Sequence, residues 1–355
     1  MIYVHVPFCG SFCSYCDFYS EIGSKRAYDL YADSLCEEIK RRRSEFRRSP
    51  STLYFGGGTP SILPLHIIKR IIGALSDYAP FEELTMEANP EDIRDKGPEY
   101  VLGLKSLGVN RMSMGVQSFD DAELRRMNRR HDAAGAMEAF GILRDCGFTN
   151  ISLDLIFGDS RMSESSWAET LRLAVLLHPE HISCYQLTVE GDNALARMKA
   201  EGRYTEASDE VCETQYKMLC KALGDAGYRH YEISNFALPG YEAVHNSAYW
   251  SRAPYVGLGP SAHSFDGTRR SWNSKGLGQW TSEEEILSEE DSVVETIMLS
   301  LRTAKGCDAD FLKKHSIGTA LDKSLSEGRL IETNGRIRIP EEYFFISDTI
   351  IKDLI

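Results

Sequence analysis

The stretch MIYVHVPFCGSFCSYCDFYS, residues 1–20, decides the fold because it joins a strand to three closely spaced cysteines. Residues 2–6 are rich in β-branched and aromatic side chains and end at a proline, which predicts a short strand. Cys9, Cys13 and Cys16 follow with C-x3-C-x2-C spacing, so we expect them on the loop that leaves this strand. Proteins with alternating strands and helices carry their chemistry at the carboxyl ends of the strands.

The three cysteines form a candidate metal centre. Thiolates select zinc, Cu(I) or iron–sulfur clusters. Three thiolates without a nearby fourth suit a [4Fe–4S] cluster whose remaining iron is open to an outside ligand. Zinc sites usually combine two C-x2-C pairs or add histidines, and neither pattern accompanies this trio in the sequence. Zinc, or three purely structural cysteines, remain the alternatives on spacing alone.

The cysteine motif resembles that of the radical S-adenosylmethionine (SAM) superfamily. The resemblance implies that Cys9, Cys13 and Cys16 hold a [4Fe–4S] cluster, and that its open iron chelates the amine and carboxylate of SAM. An electron from the cluster would then break the sulfonium bond and give a 5′-deoxyadenosyl radical. This chemistry belongs to the cofactors, and the protein supplies placement and electrostatics.

Composition bounds the remaining possibilities. The chain has 355 residues, 42% of them hydrophobic, which is enough for one large α/β domain and a smaller second one. Its net charge of −13 argues against a nucleic-acid partner held through phosphates. No stretch approaches the roughly 18 apolar residues of a membrane span. No signal peptide precedes the cysteine motif and the other six cysteines are scattered, so we expect a reduced, cytoplasmic protein.

Strands and helices alternate after the cysteine motif. With the first strand, six are predicted, and the other five cover residues 52–55, 84–88, 111–116, 151–157 and 182–187. Helices are predicted at residues 25–45, 68–75, 100–107, 121–146, 167–177 and 211–223. This alternation predicts a parallel sheet with right-handed crossovers. The resemblance implies a partial six-strand (β/α) radical SAM barrel, open on one side.

A basic run lies at the end of the first predicted helix. It comprises residues 40–43 together with Arg47 and Arg48. A phosphate or an acidic partner could dock there, but we expect a solvated helix end beside its own C-terminal dipole.

A glycine run follows the second predicted strand. The sequence GGGTPS, residues 56–61, would let backbone groups approach a ligand closely. It resembles the GGE-like motif of radical SAM enzymes, whose backbone holds the amine of SAM. The resemblance implies this role for Gly57, Gly58 and Thr59.

Four further motifs resemble, in order and spacing, the radical SAM branch that contains the oxygen-independent coproporphyrinogen III oxidases. They are MEANP, GVQSF, MNRRH and ISLDLIFG. Polar residues at strand ends often satisfy only their own loops, but the resemblance implies cofactor contacts, with Arg129 able to pair with the SAM carboxylate. The implied residues around the cluster and SAM are Tyr3, Tyr15, Glu87, Gln117, Arg129, Asp154 and, through its backbone, Thr188.

One motif departs from the pattern of that branch. Its relatives usually read DLIxGLPGQT, whereas residues 154–163 here read DLIFGDSRMS and lack the Leu-Pro pair. The conformation of this loop is therefore left open, although Asp154 itself is retained.

An aromatic and Gly-rich segment follows the alternating region. Its sequence HNSAYW, residues 245–250, matches the H-N-x-x-Y-W signature of heme chaperones in this branch. A neutral imidazole can ligate heme iron, and large aromatics can pack on a porphyrin face. The match implies heme binding through His245, with His263 of GPSAHSF as the second candidate ligand. A satisfied core histidine is the alternative.

The last 75 residues predict a small winged-helix-like domain. Capping boxes at Ser282 and Ser292 predict helix starts, and Asn334-Gly335 between RLIE and RIRI predicts a two-residue hairpin. Because the chain is acidic, we expect this end to dock onto a protein partner or the barrel rather than onto DNA. The predicted parts are a barrel at 1–227, an extension at 228–280 and the winged-helix-like domain at 281–355.

The resemblance implies a heme chaperone that carries a cluster and SAM, receives electrons from a donor and hands heme to client hemoproteins. The alternative is an oxygen-independent coproporphyrinogen III dehydrogenase. Such oxidases read C-x3-C-x2-C-x-C, whereas Cys16 is followed by Asp17-Phe18. They also carry an N-terminal extension that we expect to be absent here, and they lack HNSAYW. Another radical SAM enzyme, such as a methyltransferase, is a third possibility because fold does not fix function.

Overall fold

The computed structural model describes residues 1–46 and 51–355, so Arg47 and Arg48 of the basic run lie outside the described residues. The strands are β1 (Ile2–Val6), β2 (Phe8–Cys9), β3 (Glu21–Ile22), β4 (Thr52–Gly57), β5 (Glu83–Ala88), β6 (Arg111–Gln117), β7 (Ile151–Phe157), β8 (His181–Gln186), β9 (Arg229–Glu232), β10 (Asn235–Ala237), β11 (Val256–Leu258), β12 (His263–Phe265), β13 (Arg269–Asn273), β14 (Ser282–Ile286), β15 (Cys307–Asp308), β16 (Ile331–Thr333) and β17 (Arg336–Arg338). The helices are α1 (Lys25–Arg41), α2 (Leu65–Ala74), α3 (Pro90–Ser106), α4 (Asp121–Arg126), α5 (Ala133–Asp145), α6 (Glu164–Leu176), α7 (Ala194–Ala200), α8 (Asp209–Asp225), α9 (Val244–Trp250), α10 (Glu289–Leu301), α11 (Ala309–His315), α12 (Gly318–Ser326) and α13 (Ser347–Leu354). Among these described helices, none is long and apolar enough to cross a membrane.

The main sheet has nine strands in the order β11-β1-β4-β5-β6-β7-β8-β10-β9. The six strands from β1 to β8 in this order all pair in parallel, which confirms the predicted partial barrel. β11 adds a parallel strand beyond β1, while β10 and β9 add antiparallel strands beyond β8. These three strands come from the predicted extension, so residues 228–280 share the sheet of the barrel.

The barrel strands are buried on both faces, as expected for a parallel sheet covered by helices. Several helices begin where a serine, aspartate or asparagine side chain accepts a hydrogen bond from an early backbone N–H group, which satisfies donors that a helix start leaves unpaired. The fully buried side chains of successive strands include Val4, Phe55, Met86, Met114 and Leu153. The capping residues are Ser24, Asp120, Asp132, Ser163, Asn193 and Ser208.

The end of the first helix corrects the prediction of a solvated basic terminus at Arg42. Its guanidinium donates to the backbone oxygen of Gly257 at 2.7 Å and to Ser264 Oγ at 3.0 Å. It also pairs with Glu38, which is 1% exposed. The prediction was wrong for this residue because β11 and β12 return to cover the helix end, a contact that local sequence does not show.

The segment after β13 corrects a second prediction. Ser282 begins strand β14 and not a helix, and the next helix, α10, is capped by Ser288 in a box with Asp291. β14 pairs with β13, and Arg269 forms an ion pair with Glu284 at 2.9 Å across the two strands. Cross-strand pairing of this kind outweighs the local capping pattern.

The predicted hairpin near the C-terminus is confirmed. β16 and β17 pair antiparallel on either side of Asn334 (φ 52°) and Gly335 (φ 73°). Two consecutive positive φ angles are those of a type I′ turn, which asparagine and glycine favour. With β15 these strands form a three-stranded sheet next to α10 and α11.

Candidate functional site

A cavity of about 850 Å³ opens at the carboxyl ends of the barrel strands. It brings together side chains from separate strand ends and from the cysteine loop, as a curved parallel sheet does. The predicted residues in its wall are Cys9, Cys13, Tyr15, Cys16, Gly57, Gly58, Thr59, Glu87, Gln117, Arg129, Asp154 and Thr188. Tyr3 and His245 do not line it; Tyr3 instead stacks on Tyr54 of the wall, with ring centroids 6.0 Å apart.

The three cysteines are free and partly exposed to this cavity. Burial raises the pKa of Cys9 and raises that of Cys16 to about 11, so a bound metal would have to displace thiol protons. Within residues 1–46 and 51–355, no three His, Cys, Asp or Glu side chains are close enough to hold one metal ion. Zinc draws its ligands into one tetrahedral shell, whereas a cluster spreads them over several irons. Three thiols in one cavity wall, with no histidine among the described lining residues, form a donor set that suits an iron–sulfur cluster.

The glycine run packs directly against the start of the cysteine loop. The N–H group of Gly58 donates to Val6 O at 2.8 Å, and that of Thr59 donates to Phe8 O at 2.7 Å. A Cβ atom on Gly58 would lie 2.7 Å from Phe8 O, so a larger residue would displace the backbone. Thr59 Oγ1 lies 3.6 Å from Cys9 Sγ. These N–H groups already donate to backbone oxygens of the protein. A ligand amine could therefore bond here only to the backbone carbonyl oxygens of the glycine run.

Two carboxyl groups of the barrel strands line the same cavity as the cysteine loop. Glu87 accepts hydrogen bonds from Tyr54 Oη at 2.7 Å and from the N–H group of Gly57 at 3.1 Å. Asp154 accepts from Ser113 Oγ at 3.1 Å. Burial raises the pKa of Glu87 to about 7 and that of Asp154 to about 6. Both groups thus ionise close to neutral pH, where a cationic ligand can shift their equilibrium.

The Arg129 guanidinium joins the cysteine loop to the strand ends. It lies 3.4 Å from Cys13 Sγ and donates to Asn89 Oδ1 at 2.7 Å and to Gly115 O at 2.5 Å. Its buried Nε has no hydrogen-bond partner among the described residues. An unpaired buried donor beside the cysteines can bind a carboxylate ligand, and SAM carries a carboxylate.

Gln117 reaches the cavity through an irregularity in β6. Its φ angle is 68°, and the pairing of β6 with β7 shifts register between Gly115 and Gln117. A bulge at the end of a strand redirects the following side chain. Strain of this kind, borne by a residue other than glycine, is typical of functional sites.

The loop that lacks the Leu-Pro pair is held by an ion pair of its own and by a hydrogen bond to α8. Asp159 is 1% exposed and accepts from Arg161 Nε at 2.9 Å. Gly158 adopts φ 86°, and its N–H group donates to Gln215 Oε1 at 2.7 Å. This buried ion pair and turn leave Asp154 in the cavity wall.

The two candidate heme ligands occupy different environments. His245 is 1% exposed, and its ring nitrogens bond Thr52 Oγ1 at 2.7 Å and Tyr249 Oη at 2.9 Å. His263 is exposed on β12, and its ring stacks on Trp272 with centroids 6.0 Å apart. In the conformation described, His263 can meet an iron ion directly, whereas His245 would first have to break two hydrogen bonds.

Sequence reasoning missed several residues of the cavity wall. Tyr54 and Asn89 hold the predicted contacts Glu87 and Arg129 in place. Asn246 also lines the cavity, next to the buried His245. The signal for Asn246 was present in the signature, but the sequence did not show which of its residues faces the cavity.

We expect the affinity for SAM to rise between about pH 5 and pH 7 and to level off by about pH 8, where both carboxyl groups are ionised. Glu87 and Asp154 have raised pKa values, so the folded protein favours their protonated forms. The stabilisation of the folded state by these two protons is lost as pH rises through 6 and 7. A cationic sulfonium favours the ionised forms, so affinity should increase by up to about tenfold per pH unit below these pKa values. Equilibrium dialysis across this range measures it. A flat profile, or an equal slope in Glu87→Gln, would contradict the assignment.

The sequence matches one family model and is similar to several known proteins. Residues 3–174 match the model of the radical SAM superfamily. The heme chaperone HemW of Synechocystis is 33% identical over 86% of this chain and 78% of its own, and that of Bacillus subtilis is 31% identical over 94% and 92%. HemW of Lactococcus lactis is 32% identical over 86% and 82%.

The solved structures supply a neighbour for the fold. The coproporphyrinogen III oxidase HemN of Escherichia coli aligns with a TM-score of 0.82 over 99% of this chain and 89% of its own. Its sequence identity is 23%, so this likeness concerns the architecture alone.

Proposed function

The chain belongs to the radical SAM superfamily and, within it, to the family of the heme chaperone HemW, and on this basis we propose that it binds heme and delivers it to client hemoproteins. The observation that carries the proposal is similarity to HemW proteins along 86% to 94% of the chain. The H-N-x-x-Y-W signature at His245 supports it.

The cavity supports a cluster and SAM as the cofactors of this protein. Cys9, Cys13 and Cys16 would hold three irons of a [4Fe–4S] cluster, and Arg129 would neutralise the SAM carboxylate. The carbonyl oxygens of the glycine run would receive its amine. When bound, these groups can supply an electron and a sulfonium bond to break. The chain's own residues bind and orient the ligand and keep it inside the barrel mouth.

An electron donor would approach from the cysteine loop. Phe12 and Phe18 on this loop are 53% and 68% exposed, so two apolar side chains are accessible to a partner beside the proposed cluster. Phe18 occupies the position at which oxygen-independent oxidases carry their fourth cysteine. This difference supports the chaperone over the oxidase as the function of the site.

For heme itself, the geometry favours His263 as the iron ligand, with His245 as the second candidate. His263 is exposed, and burial together with the charge of Arg270 lowers its pKa, which favours the neutral imidazole that iron requires. Trp272 lies beside the ring and can pack on the macrocycle. Burial lowers the pKa of His245 to about 3, so it too is neutral, but the ring is enclosed.

We expect His263→Ala to weaken heme binding strongly and to change the Soret band, because one iron–nitrogen bond is lost. The expected loss is at least the roughly tenfold that removal of even an outer-shell partner costs a metal site. Hemin titration of the full-length protein, followed by transfer to an apo-hemoprotein, measures both parts of the proposed function. His245→Ala is the comparison variant. A normal spectrum in His263→Ala together with a lost one in His245→Ala would reverse the assignment, and wild-type protein that binds no heme would overturn the function.

A further inference from the structure

The signature segment His245–Trp250 faces two regions of the molecule. It lies in the short helix α9, in which His245 is buried while the next residue, Asn246, lines the cavity at the barrel mouth. Neighbouring residues of a helix point about 100° apart. One turn of helix therefore presents a histidine to the core and an amide to the cavity.

His245 is held by groups from β4 and β5. Its ring bonds Thr52 of β4 and Tyr249 of its own helix, at 2.7 and 2.9 Å. Its N–H group donates to Glu83 Oε1 of β5 at 2.9 Å, and the N–H group of Val244 donates to the other oxygen of Glu83 at 2.9 Å. The start of α9 is thus fixed to the barrel, and the position of Asn246 is fixed with it.

The buried histidine also lies behind a second part of the cavity wall. Its ring packs on that of Tyr54, with centroids 4.9 Å apart. Tyr54 donates to Glu87 Oε1 at 2.7 Å, and both residues line the cavity. Movement of His245 would therefore displace Tyr54 and release Glu87 as well as Asn246.

The amide of Asn246 makes no side-chain hydrogen bond within the described residues. It offers a donor and an acceptor to whatever polar ligand occupies the cavity. We infer that Asn246 is a binding residue for SAM, and that His245 is a positioning residue that holds Asn246, Tyr54 and Glu87 in place. The inference rests on the SAM part of the proposed function and is independent of the heme part.

The test uses full-length protein with its cluster reconstituted anaerobically. SAM affinity is measured by equilibrium dialysis and by the change that SAM causes in the electron paramagnetic resonance spectrum of the reduced cluster, and hemin affinity is titrated on the same preparations. We expect Asn246→Ala to weaken SAM binding by about five- to thirtyfold, as loss of a buried hydrogen bond does. Iron content and hemin affinity should stay within twofold of wild type. Ser247→Ala, the next residue of the helix, is the matched control and should bind SAM normally.

Tyr249→Phe tests the positioning role, because it removes one hydrogen bond of His245 and retains the ring. It should also weaken SAM binding, while Tyr249→His, which restores a polar group at this position, should recover part of the affinity. Unchanged SAM affinity in Asn246→Ala, or an effect on hemin without one on SAM, would overturn the inference. Wild-type protein that binds SAM but no heme would overturn the chaperone function and leave this inference intact, whereas wild-type protein that binds no SAM would overturn the inference.

Discussion

Cys16→Ala should abolish the [4Fe–4S] cluster. Cys9, Cys13 and Cys16 all line one cavity, and each would bind a different iron of the cluster. With one thiolate removed, two irons instead of one lack a protein ligand, and among the described residues that line the cavity no fourth cysteine can replace the lost one. We therefore expect the visible absorbance of the reconstituted protein to disappear and its bound iron to fall close to zero.

A matched control separates loss of a ligand from loss of a thiol. Cys220 of α8 is also free and partly exposed, but it does not line the cavity. Cys220→Ala should retain full iron content and absorbance. Four irons per chain in Cys16→Ala would show that the three cysteines do not form the cluster site.

Arg129→Ala should cause the second large effect, a loss of SAM affinity. The guanidinium lies beside Cys13 and carries an unpaired buried Nε, so a carboxylate bound there would be sheltered from water. Removing one partner of such a pair costs about 2–5 kcal/mol, or roughly thirtyfold to several thousandfold in affinity. Equilibrium dialysis with SAM measures the loss, after iron analysis has shown that the cluster is retained.

Two variants define what the arginine contributes. Arg125 is an exposed residue of α4 outside the cavity wall, and Arg125→Ala should bind SAM as the wild type does. Arg129→Lys keeps the charge but loses the planar fork, so we expect an intermediate affinity. Wild-type affinity in Arg129→Ala would remove this residue from the site.

The parts of the site that sequence could predict are those that follow from local pattern. A strand followed by cysteines and a glycine run places Cys9 and Gly57 at the carboxyl ends of parallel strands, and the structure brings them to one cavity. Glu87 follows the same rule, because it is the next-to-last residue of β5, whereas Asp154 reaches the cavity from the middle of β7.

The parts that sequence could not predict depend on contacts between distant segments. Arg42 lies in a basic run, yet it is covered by β11 and β12 more than 200 positions later, with Gly257 accepting its hydrogen bond. Ser282 carries a capping pattern, but the chain forms a strand there because β13 offers a partner. The signature implied that His245 contacts a ligand. The orientation of α9, which the sequence does not show, buries His245 and places Asn246 in the cavity wall.

We expect this radical SAM protein to bind and deliver heme and to leave coproporphyrinogen III unoxidised. The most direct measurement follows both on one anaerobically reconstituted sample that contains cluster, SAM and a reductant. We expect one heme bound per chain and coproporphyrinogen III that remains unconverted. Steady decarboxylation of coproporphyrinogen III by the wild-type protein would show that it is an oxidase and not a heme chaperone, whatever the heme titration showed.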